Sequence, residues 1–466
     1  MKTIFDAMKD YSAAGALAFH TPGHKQGLGA HELLKNLITA EGLRQEVSLM
    51  EELDDLHSPH TCIAEAEKLA AELWHAGDAL FMVNGTSGAI QAMILATLKP
   101  NDLVFVPRNS HRAVTAGLIL SGAIPIFLPV EFSAELKIPL NITVETLQRA
   151  IKKFPQARGL ILTSPNYYGV AADVEEIAKI LHAAGMLLLV DEAHGAHLQF
   201  CAELPISAMD AGADLAAQST HKLLGSMTQT SMLMVGKNFD SERVRRAASL
   251  LQTTSPNYLL LASLDIARLQ MFEIGVEKIS AAVKLSKFLR AEVNKIGGLK
   301  TFNAVKNFSL DLTKVTVNVE GLGLTGMDAE KILRHEFKIQ CELSDASNLL
   351  FIISYADNLA TVSKLAEQLA KLPRVNKIIS QLPPLFTDHF SLTTVSPREI
   401  FFAKSEVVPL EKSVGRICAE EVTFYPPGIP IINLGERITL EVVQQIRELQ
   451  SLGGRTLGDK DFVKVI

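Results

Sequence analysis

From about residue 78 the chain alternates short apolar runs with longer stretches in which apolar residues return every three or four positions. "ALFMV" precedes "AIQAMILATL", "DLVFV" precedes "HRAVTAGLIL", "IPIFL" follows, and "GLILT" precedes "VEEIAKILHAAG". "MLLLV", "LAAQS" and "SMLMV" complete the series. Continuous short apolar runs read as strands buried on both faces, and their alternation with helical stretches implies βαβ crossovers. The pattern predicts an α/β domain with a mostly parallel central sheet. A helical region is expected over about 240–296, followed by a strand "KVTVNV", a helix "MDAEKILRHEF" and strands "IQCEL" and "LLFIIS", a smaller α+β unit. After "LPP" at 382–384 comes a turn-rich tail with "YPPGIP" and "LGERIT". These breaks predict an N-terminal segment 1–40, a large domain 41–298, a small α+β domain 299–384 and a C-terminal domain 385–466. No internal repeat is present, which excludes solenoid architectures.

Composition narrows the classes. Hydrophobic residues make up 48% and charged residues 21% of the chain, as in ordinary globular proteins. No apolar run approaches the roughly 18 residues of a membrane span. The first 20 residues carry acidic side chains and no long apolar core, so no secretory signal is expected. A net charge of -6 and a pI near 6.1 offer no basic field for a phosphate backbone, so a small molecule is a better partner than nucleic acid. Cys62, Cys201, Cys341 and Cys418 are scattered, with no disulfide framework or zinc spacing, which fits a cytoplasmic location.

Three stretches carry candidate chemistry. In "VNGTSGAI" a strand gives way to a helix, and the backbone N–H groups of Thr86, Ser87 and Gly88 face outward at its N-terminus, a geometry that binds phosphate. A merely capped helix start is the plain alternative. "MLLLVDEAH" ends a buried strand in Asp191, where doubly wound sheets hold ligands. A helicase D-E-A-H box is the rival there, and it fails because no G-x-x-x-x-G-K-[ST] loop accompanies it. In "AQSTHKLLGS", Lys222 stands between a hydroxyl-rich turn and two leucines, where partial desolvation favours its neutral, nucleophilic form. A lone lysine is ordinarily a solvated surface residue. A phosphate cradle, a strand-end aspartate and a lysine after the next strand together match what pyridoxal phosphate requires: phosphate held, ring nitrogen protonated, aldehyde captured as a Schiff base.

The ordered set "HTPGHKQG", "LDDLHSP", "VNGTSGAI", "RNSHRAV", "SPNYYG", "VDEAHGAH", "STHKLL", "QTTSPNY", "YPPGIP" and "GERIT" resembles the Orn/Lys/Arg decarboxylase family of pyridoxal phosphate enzymes. The resemblance runs from about 18 to 440 and is to the shorter members, without the N-terminal wing domain of the long bacterial enzymes. It implies an aspartate-aminotransferase-like (fold type I) large domain with smaller α+β C-terminal domains. It also implies that Lys222 binds the cofactor, that Asp191 pairs with the ring nitrogen and that His111 stacks on the ring. Thr86, Ser87, Ser219 and His221 would hold the phosphate, with Thr253 or Thr254 adding a contact from a neighbouring subunit. His194 matches a position near the ring where the family varies. A homodimer or higher homo-oligomer with shared active sites follows from the same resemblance.

The expected reaction is decarboxylation of a basic amino acid to a polyamine-type amine and CO₂, with arginine first, then lysine or ornithine. Lys222 or His221 would return the proton to Cα. A substrate ammonium or guanidinium needs acidic partners, and Asp54, Asp55, Glu342 and Glu436 are the acids in family-like segments. The rivals are an aminotransferase or aldolase of the same fold, and a regulatory binding protein that retains the fold without catalysis. "GLGLTG" at 321–326 imitates a dinucleotide loop, but Thr325 to Asp328 reads as a helix cap and no second cofactor is needed. His57, His60 and Cys62 in "HSPHTC" match no zinc spacing, so no metal is expected, and the family resemblance implies that this stretch is an active-site loop.

Overall fold

The computed structural model describes residues 3–47, 49–376, 390–393, 395–425, 429–451, 455–456 and 461–466. Each predicted strand of the large domain is present: Asp78–Met82, Leu103–Pro107, Ile124–Leu128, Gly159–Thr163, Leu187–Asp191, Leu215–Gln218 and Ser231–Val235. In space they run in the order 78–82, 231–235, 215–218, 187–191, 159–163, 103–107, 124–128, with Ser391–Leu392 added at the far edge. The five strands from 215–218 to 124–128 are parallel; 231–235 runs against both its neighbours, and 391–392 runs against 124–128.

Both faces of this sheet are covered, which is why its strands are apolar without alternation. Leu80, Val104, Val106, Ile161 and Leu189 point to one layer, packed against helices Gly85–Thr97, Arg112–Ser121 and Ser241–Leu251. Phe81, Phe105, Leu160, Leu162 and Val190 point to the other, with helix Val174–Ala183 and the first turns of the long helix Tyr258–Val293. Because every parallel strand points its carboxyl end the same way, the loops after 82, 107, 163, 191 and 218 lie along one edge.

The helical region expected over 240–296 is two helices, not one. Pro256 is buried in the break, and Asn257 caps the second helix through Oδ1, which accepts the Leu259 N–H at 2.9 Å. The long helix serves two cores, since Ala282, Leu289 and Val293 pack with Val315, Val317, Leu349 and Phe351 of the following unit. There, strands Lys314–Asn318, Asn348–Ile352 and Leu343–Ser344 form an antiparallel sheet. The expected strand "IQCEL" is mostly absent. Lys338 turns the chain at a φ of 59°, and the Ile339 N–H bonds the Leu333 carbonyl, so Ile339 closes the end of helix Gly326–His335. That helix is capped by Thr325, which accepts the Asp328 N–H, and a Cβ on Gly326 would lie 2.1 Å from the Asn348 carbonyl oxygen. The glycine there serves backbone packing. The expected boundary at 384 and part of "YPPGIP" lie outside the described residues.

The C-terminal segment has its own apolar cluster around Leu410, Cys418, Ile432, Ile446 and Val465. It is tied to the large domain by a buried ion pair: Arg108 donates to Glu436 Oε1 at 2.5 Å and Oε2 at 3.2 Å, with Ser391 Oγ at 2.9 Å from Oε1. Burial alone would raise the Glu436 pKa, and the Arg108 charge overrides this and holds it below the usual value. Among the described residues no helix is long and apolar enough to cross a membrane.

Candidate active site

The edge formed by the strand ends gathers the predicted residues. After strand Asp78–Met82 the chain turns through Gly85 at a φ of 76° into helix Gly85–Thr97. A Cβ on Gly88 would lie 2.3 Å from Asn84 Nδ2, so the turn accepts no side chain there. Asn84 forms no side-chain cap, and the positive end of the helix is left for an anion. Thr86 Oγ1 bonds Ser219 Oγ and lies 2.9 Å from Ser231 Oγ, which donates to the Gln218 carbonyl at 2.7 Å. Ser87 is exposed beside them. Three elements thus pool their hydroxyls at one helix N-terminus.

Asp191 closes strand Leu187–Asp191 and is 2% exposed, with Oδ1 accepting the Ala193 N–H at 3.1 Å. Burial raises its pKa, and the charges of His111 and Lys222 oppose the rise. A carboxylate in this position calls for a cationic N–H. His111 is the N-cap of helix Arg112–Ser121, its Nδ1 accepting the Ala113 N–H at 3.1 Å, which leaves the ring proton on Nε2. Burial lowers its pKa; Asp191 opposes this and Lys222 adds to it.

Lys222 sits in the short helix Thr220–Leu223, half-buried, with Nζ 3.0 Å from His194 Nε2 and 5.9 Å from the centre of the Tyr167 ring. Burial lowers its pKa, while Asp191 and Glu342 hold it up. His194 is 3% exposed and packs on Tyr167 at 5.0 Å between ring centres. Its other nitrogen, Nδ1, meets Lys314 Nζ at 3.3 Å. His221 donates Nδ1–H to the Thr230 carbonyl at 2.7 Å, leaving Nε2 as its remaining ring nitrogen.

Other expected residues lie elsewhere. Asp54 and Glu436, expected as substrate acids, are engaged by other protein groups in the structure. Asp54 accepts the N–H groups of His60, Thr61 and Ile63 at 2.8 to 3.1 Å, anchoring the start of helix Cys62–Leu73, and these bonds hold its pKa down although burial would raise it. Glu436 is consumed by Arg108. Asp55 accepts the His57 N–H at 2.9 Å. His57 bonds Ser249 and the Thr253 carbonyl, and the Cys62 thiol bonds the Leu53 carbonyl. Thr253 and Thr254 are exposed, and Thr253 Oγ1 accepts the Ser255 N–H. Glu342 alone of the four acids is exposed with its charge facing Lys222 and Lys314. Sequence reasoning missed Ser231, Lys314 and Glu421, the last an acid of the C-terminal segment whose charge reaches His111. Ser231 was legible only through the antiparallel register that sets it opposite Met82.

These groups fit pyridoxal phosphate on chemical grounds: hydroxyls and a helix N-terminus for its phosphate, a buried carboxylate for its ring nitrogen, and a partly desolvated lysine for its aldehyde. When bound, the cofactor supplies an electron sink for cleavage at Cα.

Comparison with known proteins agrees. Residues 2–317 match the model of the Orn/Lys/Arg decarboxylase major domain, and residues 391–456 that of the C-terminal domain. The chain is 40% identical to the arginine decarboxylase of Bacillus subtilis and 39% identical to that of Halalkalibacterium halodurans, in both cases over 98% of this chain and 95% of the relative. The lysine decarboxylase LdcF of Francisella novicida superposes with a TM-score of 0.87 at 22% identity, covering 100% of this chain and 81% of that one, which shows a shared fold. A buried aspartate at a strand end, a desolvated lysine after the next strand and these matches converge: the chain belongs to the Orn/Lys/Arg decarboxylase family and is a pyridoxal phosphate-dependent decarboxylase of fold type I.

Proposed function

We propose that the chain decarboxylates arginine to agmatine and CO₂. Lys222 is the cofactor-attachment residue, Asp191 pairs with the ring nitrogen and His111 flanks the ring. Thr86, Ser87, Gly88, Ser219, Ser231 and His221 hold the phosphate. The observation that carries the choice of a cationic substrate is Glu342, an exposed carboxylate whose charge faces the Lys222 amine. A carboxylate receives a planar guanidinium through paired hydrogen bonds, and the near-full-length relatives named arginine decarboxylase support arginine over lysine. Lys222 Nζ, held by His194, takes up the proton destined for Cα, and His221, as an imidazolium carrying a second proton on Nε2, is the other candidate donor.

The test is to give the holoenzyme arginine, lysine and ornithine in parallel and identify the products. Agmatine formed with the highest kcat/KM is expected; a keto acid product would sink decarboxylation. In Glu342→Gln the arginine KM should rise by roughly 10- to 100-fold, the worth of a charged hydrogen bond, with a smaller change in kcat. An unchanged KM removes Glu342 from the substrate site.

The same reading places two copies around the site and the exposed Thr253 and Thr254 against a neighbouring chain's cofactor. Sedimentation should give at least twice the 50.7 kDa chain mass, and a fully active monomer would overturn that arrangement.

A further inference from the structure

Strand Asp78–Met82 is the last of the large sheet on its side, and among the described residues no further strand covers its outer edge. Side chains take the place of one. Glu67 Oε1 accepts the Phe81 N–H at 2.8 Å, Gln252 Nε2 donates to the Phe81 carbonyl at 3.2 Å, and Gln252 Oε1 accepts the Val83 N–H at 2.9 Å. Covering an exposed edge accounts for the bonds to Phe81. The bonds continue past Met82, where the strand has ended. Gln229 Nε2 donates to the Val83 carbonyl, the Gly85 N–H donates to the Gln229 carbonyl at 2.8 Å, and Asn84 Nδ2 donates to the Leu251 carbonyl at 3.2 Å. These bonds hold the turn that opens helix Gly85–Thr97.

We infer that Gln229 and Gln252 are positioning residues: two amide side chains from separate segments lock the turn at 83–85, so that the start of helix Gly85–Thr97 is set for the cofactor phosphate before the cofactor arrives. The inference rests on the proposed phosphate role of Thr86, Ser87 and Gly88. A primary amide both donates and accepts, and the two peptide groups flanking the Val83 side chain need one of each. Gln252 supplies the acceptor for the Val83 N–H, and Gln229 the donor for its carbonyl. A turn ordered in advance binds more tightly than one its ligand must order, because the conformational entropy is lost on folding rather than on binding.

Two further observations tie these glutamines to the site. Gln229 has a φ of 86°, in the left-handed region that glycine adopts without strain. A glutamine there gives up backbone ease and gains the bond to Val83. The next two residues belong to the site: the Thr230 carbonyl accepts the His221 Nδ1–H at 2.7 Å, and Ser231 Oγ lies 2.9 Å from Thr86 Oγ1. Gln229 therefore holds both walls of the hydroxyl cluster in one register. Gln252 ends helix Ser241–Leu251, its own N–H bonded to the Ala248 carbonyl. That helix packs on the sheet through Val244, Ala247 and Ala248, so Gln252 hangs the turn on a fixed element.

The test compares two probes, pyridoxal phosphate and pyridoxal, which lacks the phosphate, titrated by absorbance into full-length protein freed of cofactor. Wild type should bind the phosphate ester far more tightly. Gln252→Met keeps the side chain's length and removes both of its bonds; it should raise the Kd for pyridoxal phosphate roughly tenfold, the worth of an amide hydrogen bond, and leave that for pyridoxal within about twofold. Gln229→Gly relieves the backbone and removes the amide, and it should have the same selective effect. Either variant weakening both ligands equally, or neither, would overturn the inference. Should the variants fail to fold, hydrogen exchange of the wild type decides: the peptide spanning 81–88 is expected to be protected before cofactor is added, and protection gained only with the cofactor refutes the inference. Equal affinity of wild type for the two probes would instead overturn the phosphate role of the helix start, and the inference with it.

Discussion

Lys222→Ala is expected to yield a folded chain that no longer forms a borohydride-reducible adduct and whose decarboxylation rate falls by roughly 10³- to 10⁶-fold. Lys222 is half-buried, whereas Lys314, the nearby alternative, is fully buried. The substitution removes an ammonium precursor from a region where burial already disfavours its charge, and Leu223 and Leu224 keep the turn packed. Thermal unfolding should therefore move little. Peptide mass after reduction is the measurement, and adduct at the wild-type level would mean that another lysine carries the cofactor.

Asp191→Asn should lower kcat by roughly 10²- to 10³-fold while leaving the fold intact, because the amide keeps the shape and the bond to the Ala193 N–H but loses the charge. The sign of a second effect is fixed by the electrostatics. Asp191 raises the pKa of Lys222 and of His111, so its removal lets burial pull both lower. The midpoint of Lys222 labelling by pyridoxal phosphate, trapped with borohydride, should move to lower pH. A kcat within tenfold of wild type, or a midpoint that moves upward, would show that Asp191 is not the anion facing these groups.

Much of this was legible along the chain because buried parallel strands leave an uninterrupted apolar signature, and because the groups proposed to serve one cofactor follow strands of one sheet. Thr86, Asp191 and Lys222 each come directly after a run such as "ALFMV" or "MLLLV". Parallel connections return each such position to the same sheet edge. Capping chemistry was equally readable at Thr325. "IQCEL" misled because apolar residues that close a helix end carry the same local pattern as a short strand.

What the sequence by itself determined is the fold type and the cofactor, and it named as candidates the residues whose chemistry is carried by their own type and local turn: Lys222, Asp191 and the Thr86 to Gly88 helix start. Tertiary structure decided everything that depends on which distant segments meet. Glu436 pairs with Arg108 and Asp54 anchors a helix start, although in sequence both are candidate partners of a cationic substrate group. Ser231 reaches the hydroxyl cluster through antiparallel pairing, and Lys314, more than 90 positions from Lys222, reaches it through His194. A charge's role is set by the partners and the burial that long-range packing gives it, and no local pattern encodes either.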